Sequence, residues 1–345
     1  MSSDARAAAD RQDAPARSAP TARNVGLDVA KKQLARYGVP LAIVVTFAVF
    51  SILRPDSFFT ELTIKGILRD SVPLMIVSLG ITTVLAMNDY DLSLGGLVSL
   101  CATVVVLLVS SAHVGMNVVA AIFLTIAIGA LLGMVNGVLV AYVLLPSFIL
   151  TIASGTFFAG LALEIVDSQS VFEGIPQSFV DLASGTRFGF SHQVYIGLVV
   201  LVLAHVFMRH TEYGRYMYAV GGNPEAARLS GVRVRLLRAL GFAIVGATAA
   251  LAGILINSQA GAANPNTGLG LLLPAYAAAF LGSSMFRVGV FTPIGTALGA
   301  VYLQIIGTGL TILSLTGPVV QMIQGGILAA AVLVSRLTRS DEHRR

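Results

Sequence analysis

The sequence predicts an all-α integral membrane protein of about ten transmembrane helices, and three observations predict it. Of 345 residues, 56% are hydrophobic and only 11% charged, with a mean hydropathy of +0.84. A water-facing surface needs roughly 25% charged residues, so lipid must be the solvent for most of this chain. Asp, Glu, Lys and Arg are absent from Leu92 to Leu163, from Ala239 to Phe286 and from Val288 to Ser335. Each run exceeds the ~20 apolar residues that cross a bilayer core and so holds two or more spans. Barrel strands alternate polar and apolar side chains over about ten residues, a pattern missing here, and helices are then what pairs the backbone in lipid.

The elements follow in chain order. Residues 1–36 are rich in Ala, Arg, Asp, Ser and Pro, with too little apolar surface to order themselves; they read as a disordered, basic cytoplasmic tail. They do not read as a signal peptide. The charged stretch is too long, and the apolar segment after it ends in Phe50, Ser51, Ile52, Leu53 and Arg54 instead of a small-residue cleavage site. One transmembrane domain is expected over 37–338, with spans near 38–53, 64–87, 93–111, 117–142, 147–166, 193–208, 240–259, 270–286, 289–311 and 316–335. The second is the least regular, because Glu61, Lys65, Arg69 and Asp70 make its start amphipathic and Pro73 is expected to interrupt it. A loop over 209–238 and a short tail over 339–345 complete the chain.

Arginine sets the orientation. Arg6, Arg11, Arg17 and Arg23 lie in the first tail, Arg209, Arg215, Arg228, Arg233, Arg235 and Arg238 in or beside the 209–238 loop, and Arg336, Arg339, Arg344 and Arg345 at the end. All three segments are cytoplasmic if the number of spans is even. The 167–192 loop, with Asp167, Glu173 and Asp181 against Arg187, then falls outside; Ile175-Pro176-Gln177-Ser178 within it could start a short helix. Ten spans also allow two five-helix halves of opposite topology. The net charge of +5 belongs to these loops and not to a nucleic-acid surface. Gly129, Gly133 and Gly137, and Gly295 and Gly299, have the spacing of close helix contacts. The lone Cys101 excludes an intramolecular disulfide.

The informative segment is Gly221-Gly222-Asn223-Pro224-Glu225-Ala226-Ala227-Arg228-Leu229-Ser230-Gly231. Asn223 is a good N-cap, Pro224 suits the first helical position, and Gly231 suits the left-handed position past the end. Glu225 in the first turn and Arg228 beyond it match the helix dipole. The local code therefore specifies a two-turn helix stopped at both ends. Alone in water such a helix is marginal, so a docking partner is expected to stabilise it.

Glu225-Ala226-Ala227, followed three residues later by Gly231, resembles the EAA loop of ABC importer permeases. The fuller string GRYMYAVGGNPEAARLSGV (Gly214 to Val232) is similar to the ribose, xylose and arabinose branch. The resemblance runs on through YDLSLGG (Tyr90 to Gly96), LPSFILTIASGTFFAGLAL (Leu145 to Leu163) and FLGSSMFRVGVFTPIGTALGA (Phe280 to Ala300). It implies a multi-pass permease of the bacterial inner membrane with both termini cytoplasmic. Its partners would be a second permease copy, a cytoplasmic ABC ATPase holding ATP and Mg, and an extracytoplasmic sugar-binding protein. Asn223 to Ser230, closed by Gly231, would be the coupling helix seated in the ATPase. Two departures bear on the substrate. Asn88 and Asp89 stand where the family carries glycines, and Leu271 to Ala275 (LLLPA) replaces a stretch often written with Glu and Asp.

No phosphate loop is present, since Lys31, Lys32 and Lys65 are the only lysines and none lies in a G-x-x-x-x-G-K-[ST] motif. No cofactor is expected in this chain, and the five histidines lack metal-site spacing. Asp89 and Asp91, with Ser93, form an ionisable cluster at the end of a span; it reads either as a structural polar turn, hydrated from the cytoplasm, or as part of a gate or path. Ser147, Thr151, Ser154 and Thr156 follow Pro146 on one helix, where hydroxyls line a path or bond back to their own helix. Asn257, Gln259, Asn264 and Asn266 read as a polar outer turn. The leading expectation is a permease for a small neutral sugar or polyol. The alternatives are an ion-coupled secondary transporter, with Asp91 its only carboxylate candidate, or a related permease for nucleosides or branched-chain amino acids.

Overall fold

The computed structural model describes residues 40–285, 289–327 and 329. The two tails, 1–36 and 339–345, and the last part of the tenth expected span lie outside the described residues. The helices are α1 (Pro40–Leu53), α2 (Pro55–Phe58), α3 (Glu61–Leu85), α4 (Leu94–Val109), α5 (Val118–Ala141), α6 (Ser147–Glu164) and α7 (Gln177–Ser184). After a small hairpin, β1 (Thr186–Arg187) with β2 (Phe190–Ser191), come α8 (His192–His210), α9 (Glu212–Gly222), α10 (Pro224–Leu229) and α11 (Val234–Ala260). A 3₁₀ turn, Leu269–Leu271, leads into α12 (Leu272–Ser283), followed by α13 (Pro293–Ile312) and α14 over 317–327. Each of the ten expected segments contains a helix. Among the described residues, six helices (α3, α5, α6, α8, α11 and α13) have the length and apolar composition to cross a membrane; α1, α4 and the Leu269–Ser283 segment are apolar but shorter.

Burial separates an inner from an outer set of helices, with α13 between them at 50%. The apolar windows of α3 and α11 are 83% and 61% buried, whereas those of α5, α6 and α8 are 17–22% buried. Short α4 belongs to the inner set, with Leu94, Leu97, Val98, Cys101 and Val105 at zero exposure. The outer set presents Phe123, Leu131, Ile149, Phe157, Leu198 and Leu203 to its surroundings. A soluble protein does not tolerate that much continuous apolar surface, and lipid does.

Two helix contacts use the glycine spacings seen in the sequence. A Cβ on Gly133 of α5 would lie 2.2 Å from the Phe242 carbonyl oxygen of α11. A Cβ on Gly299 of α13 would lie 2.2 Å from the Ala278 carbonyl oxygen of α12. Neither backbone approach survives a side chain.

The interruption expected at Pro73 is absent: α3 runs unbroken from Glu61 to Leu85, with the Thr60 side chain accepting the Thr63 N–H. Proline lacks the N–H that would reach the carbonyl four residues back. That carbonyl belongs to Arg69, and it accepts instead from Gln193 Nε2 of α8 at 2.8 Å. A side chain 124 positions away thus satisfies the orphaned acceptor.

Opposite the 209–238 loop, α7 begins at the expected Pro176 and buries Phe179 and Ala183. Ser258 of α11 fixes it, with Oγ donating to the Phe179 carbonyl and accepting the Ala183 N–H. Asn264 and Asn266 lie exposed, but Asn257 is buried and donates to the Ala102 carbonyl of α4 at 2.8 Å.

Candidate functional site: a capped surface helix and the turn beneath it

Helix α10 is six residues long and capped as its sequence dictates. Asn223 Oδ1 accepts the Glu225 and Ala226 N–H groups at 3.1 and 3.0 Å. Past the C-terminus Gly231 sits at φ +86°, a left-handed conformation glycine adopts without strain, and the Val232 N–H returns to the Ala227 carbonyl at 3.1 Å. Arg228 pairs with Glu225 at 2.6 Å on the surface. From Asn223 to Gly231 only Ala227 is buried, and Leu229 is 79% exposed. An apolar side chain displayed on a capped, charged helix is what a docking plug requires.

Ala227 packs into a small cluster with Met87, Met217, Val220 and Leu237. Met87 belongs to the turn that joins α3 to α4, and this turn carries Asp89, Asp91 and Ser93. Asn88 enters it at φ +59°, which asparagine tolerates better than most residues, and donates to the Gly221 carbonyl at 2.5 Å. Asparagine thus fits this left-handed backbone and adds a bond between the turn and α9.

The cluster is buried, not hydrated as the sequence reading expected of a structural turn. Asp89 is 3% exposed and forms a two-pronged pair with Arg238 of α11, Nε to Oδ2 at 2.6 Å and Nη2 to Oδ1 at 2.5 Å. Asp91 is fully buried; its Oδ1 accepts from the Ser93 N–H at 2.9 Å and from Ser93 Oγ at 2.5 Å. Tyr276 of α12 accepts the Asp91 N–H at 2.9 Å and donates to its carbonyl at 3.1 Å, while its ring stacks on Tyr90. Asn136 of α5 donates to Ser93 Oγ at 3.1 Å, and Thr151 of α6 accepts the Leu92 N–H at 3.0 Å. The turn is a junction of four helices.

Of the hydroxyls named on α6, only Thr151 joins this junction. It also donates to the Ser147 carbonyl at 2.7 Å. Ser147 and Ser154 are half-buried, and Thr156 is exposed and bonded back to Ile152. Arg238, Asn136 and Tyr276 went unnoticed in the sequence, where Arg238 read only as a loop charge. A second tie runs from Tyr218 of α9, whose Oη donates to the Phe291 carbonyl ahead of α13 at 2.6 Å. Burial pushes this phenol up to about 12, so it keeps its proton near neutrality.

Residues 63–332 match the family described as branched-chain amino acid transport system / permease component. Over 297 residues the chain is 31% identical to the ribose import permease protein RbsC of Escherichia coli K12, covering 85% of this chain and 91% of that protein. It is 30% identical over 306 residues to the L-arabinose ABC transporter permease protein AraH of Azospirillum brasilense, covering 89% of each. It is 30% identical over 318 residues to the galactose/methyl galactoside import permease protein MglC of Salmonella typhimurium, covering 87% of this chain and 94% of that one.

Proposed function

This chain belongs to the branched-chain amino acid transport system / permease component family, and from that premise we propose that it is the membrane-spanning subunit of a binding-protein-dependent ABC importer for a small neutral sugar or polyol. The family is one of transport subunits and not of enzymes. The ATP would be hydrolysed by a separate cytoplasmic subunit, with two permease copies completing the pore and an external binding protein delivering the solute. Ten spans in two five-helix halves, with both termini cytoplasmic, accommodate this assembly. Sugar is favoured as cargo by the names of the relatives, which cover ribose, arabinose and galactose import.

The observation that carries the reading is α10, exposed on every side except Ala227 and seated on the α3–α4 turn. Movement of a docked ATPase would displace α10 as a rigid plug. The Asp89–Arg238 pair and the Asn88–Gly221 bond would carry that displacement into the turn. From there the Asp91–Tyr276 bonds lead to α12, and Tyr218–Phe291 leads in parallel to α13. Asp89 and Asp91 thus act as transmission residues, with Ser93 and Thr151 fixing the turn, and Ser147, Ser154 and Thr156 on the flank of α6.

The test is uptake into proteoliposomes holding the permease, its ATPase and its binding protein. Sugar accumulation that needs ATP, survives collapse of proton and sodium gradients, and is lost in Gly231→Val bears out the proposal. Uptake by the lone chain driven by an ion gradient contradicts it and turns attention to the secondary-transporter reading.

A further inference from the structure

A cleft of about 470 Å³ opens between α3, α11, α12, α13 and α14, far from the coupling helix. Gln259 on its wall lies ~30 Å along α11 from Arg238 at 1.5 Å rise per residue. The volume is within the ~300–1,000 Å³ range of clefts that hold small organic ligands. Its walls carry four polar side chains, Asp70, Gln259, Gln304 and Gln324, between the apolar faces of Pro73 and Pro274.

Resting on the importer reading above, we infer that this cleft is a binding station for a neutral polyhydroxylated solute, a monosaccharide or polyol, on its way through the chain. Each carboxamide offers one acceptor and two N–H donors, the mixture that vicinal hydroxyls match in both roles. The one carboxylate is already compensated: Asp70 Oδ1 and Oδ2 accept from Arg69 at 2.7 and 3.2 Å, and Oδ1 also accepts from Gln259 Nε2 at 3.1 Å. An amino-acid zwitterion needs an uncompensated charge of each sign to replace its hydration, and the polar wall offers carboxamides and a closed ion pair. Gln304 donates to Thr308 one turn along its own helix at 3.3 Å, which fixes its amide at the wall. Gln324 lies over Gly307, where a Cβ would stand 3.6 Å from its Nε2, so two amides from α13 and α14 face the same space.

Proline shapes the site. Gln193 takes the Arg69 carbonyl that Pro73 leaves open, so the wall keeps an apolar ring face without a stranded acceptor. Such ring faces complement the C–H faces of a sugar.

The experiment uses the full complex of permease, ATPase and binding protein in proteoliposomes, with radiolabelled D-ribose, L-arabinose, D-galactose and L-leucine as probes. Gln304→Met and Gln324→Met keep side-chain length and remove the hydrogen-bonding groups. The pair of substitutions is expected to lower uptake of the transported sugar at least tenfold while ATP hydrolysis stimulated by the binding protein stays within twofold. Gln304→Asn and Gln324→Asn are expected to retain a third or more of the rate. The Met variants are compared with the parent chain whichever energy source drives uptake, so ATP-independent transport would count against the importer reading and still test the cleft. Unchanged sugar uptake in the double Met variant, or transport of leucine and of none of the sugars, overturns the assignment.

Discussion

Helix α10 and the turn beneath it touch each other yet are built on opposite principles. Helix α10 is capped by bonds within ten residues, from Asn223 to Val232, and exposes nearly all of them. The turn from Ala86 to Ser93 draws its partners from α5, α6, α11 and α12, at separations of 43, 59, 149 and 185 residues. One element is capped by its own neighbours and left exposed; the other is held by distant parts of the chain. A plug that contributes little to folding can be gripped and moved without unfolding the subunit, provided the surface that receives its motion is stiff. Damage to the two should therefore separate cleanly.

The largest effect is expected at Arg238. Arg238→Ala strands a carboxylate that is 3% exposed, a change that costs about 3–5 kcal/mol when a buried pair is broken. The thermal midpoint of the purified protein should fall by several degrees and uptake should be lost. Adding Asp89→Ala should restore most of the midpoint, because no charge is then left unpaired, while uptake stays at least tenfold low. Full recovery of uptake in the double variant would show that the pair merely fills space.

A smaller loss is expected where Pro73 is tolerated. Gln193→Leu leaves the Arg69 carbonyl without its donor, at about 1–3 kcal/mol. Combining it with Pro73→Ala, which restores the helical N–H, should recover much of that. Additive losses in the pair would refute the account of an unbroken α3.

On the plug, effects on stability should be smaller still, and those on transport large. Gly231→Val forces a β-branched residue to φ +86°. This strain is roughly 1–2 kcal/mol and falls on the loop after α10; the protein should reach the membrane in normal amount and not transport. Glu225→Arg removes an exposed pair with Arg228 worth about 0–1 kcal/mol. It should leave the midpoint unchanged and still abolish uptake by placing the wrong charge at the helix N-terminus.

The same contrast decides what could be read in advance. The caps of α10 were legible because Asn223, Pro224 and Gly231 act on neighbours two or three residues away. The helical segments were legible because lipid demands long apolar runs. Pro73 misled because its compensation comes from Gln193, and nothing local announces that. Asp89 and Arg238 were each visible as charges, but their pairing needs α3 and α11 side by side, a matter of packing between helices. Gln304 and Gln324 went unremarked for the same reason: single amides in apolar runs acquire meaning only when α13 and α14 face a common space.

The most direct measurement is affinity purification of the tagged chain from its native cell in mild detergent, with quantification of any ATPase that accompanies it. The account predicts a stoichiometric ATPase with the parent chain and with Gln304→Met, and its loss with Glu225→Arg or Leu229→Asp at unchanged thermal midpoint. An ATPase retained by both α10 variants, or a lone chain that transports without one, would contradict it.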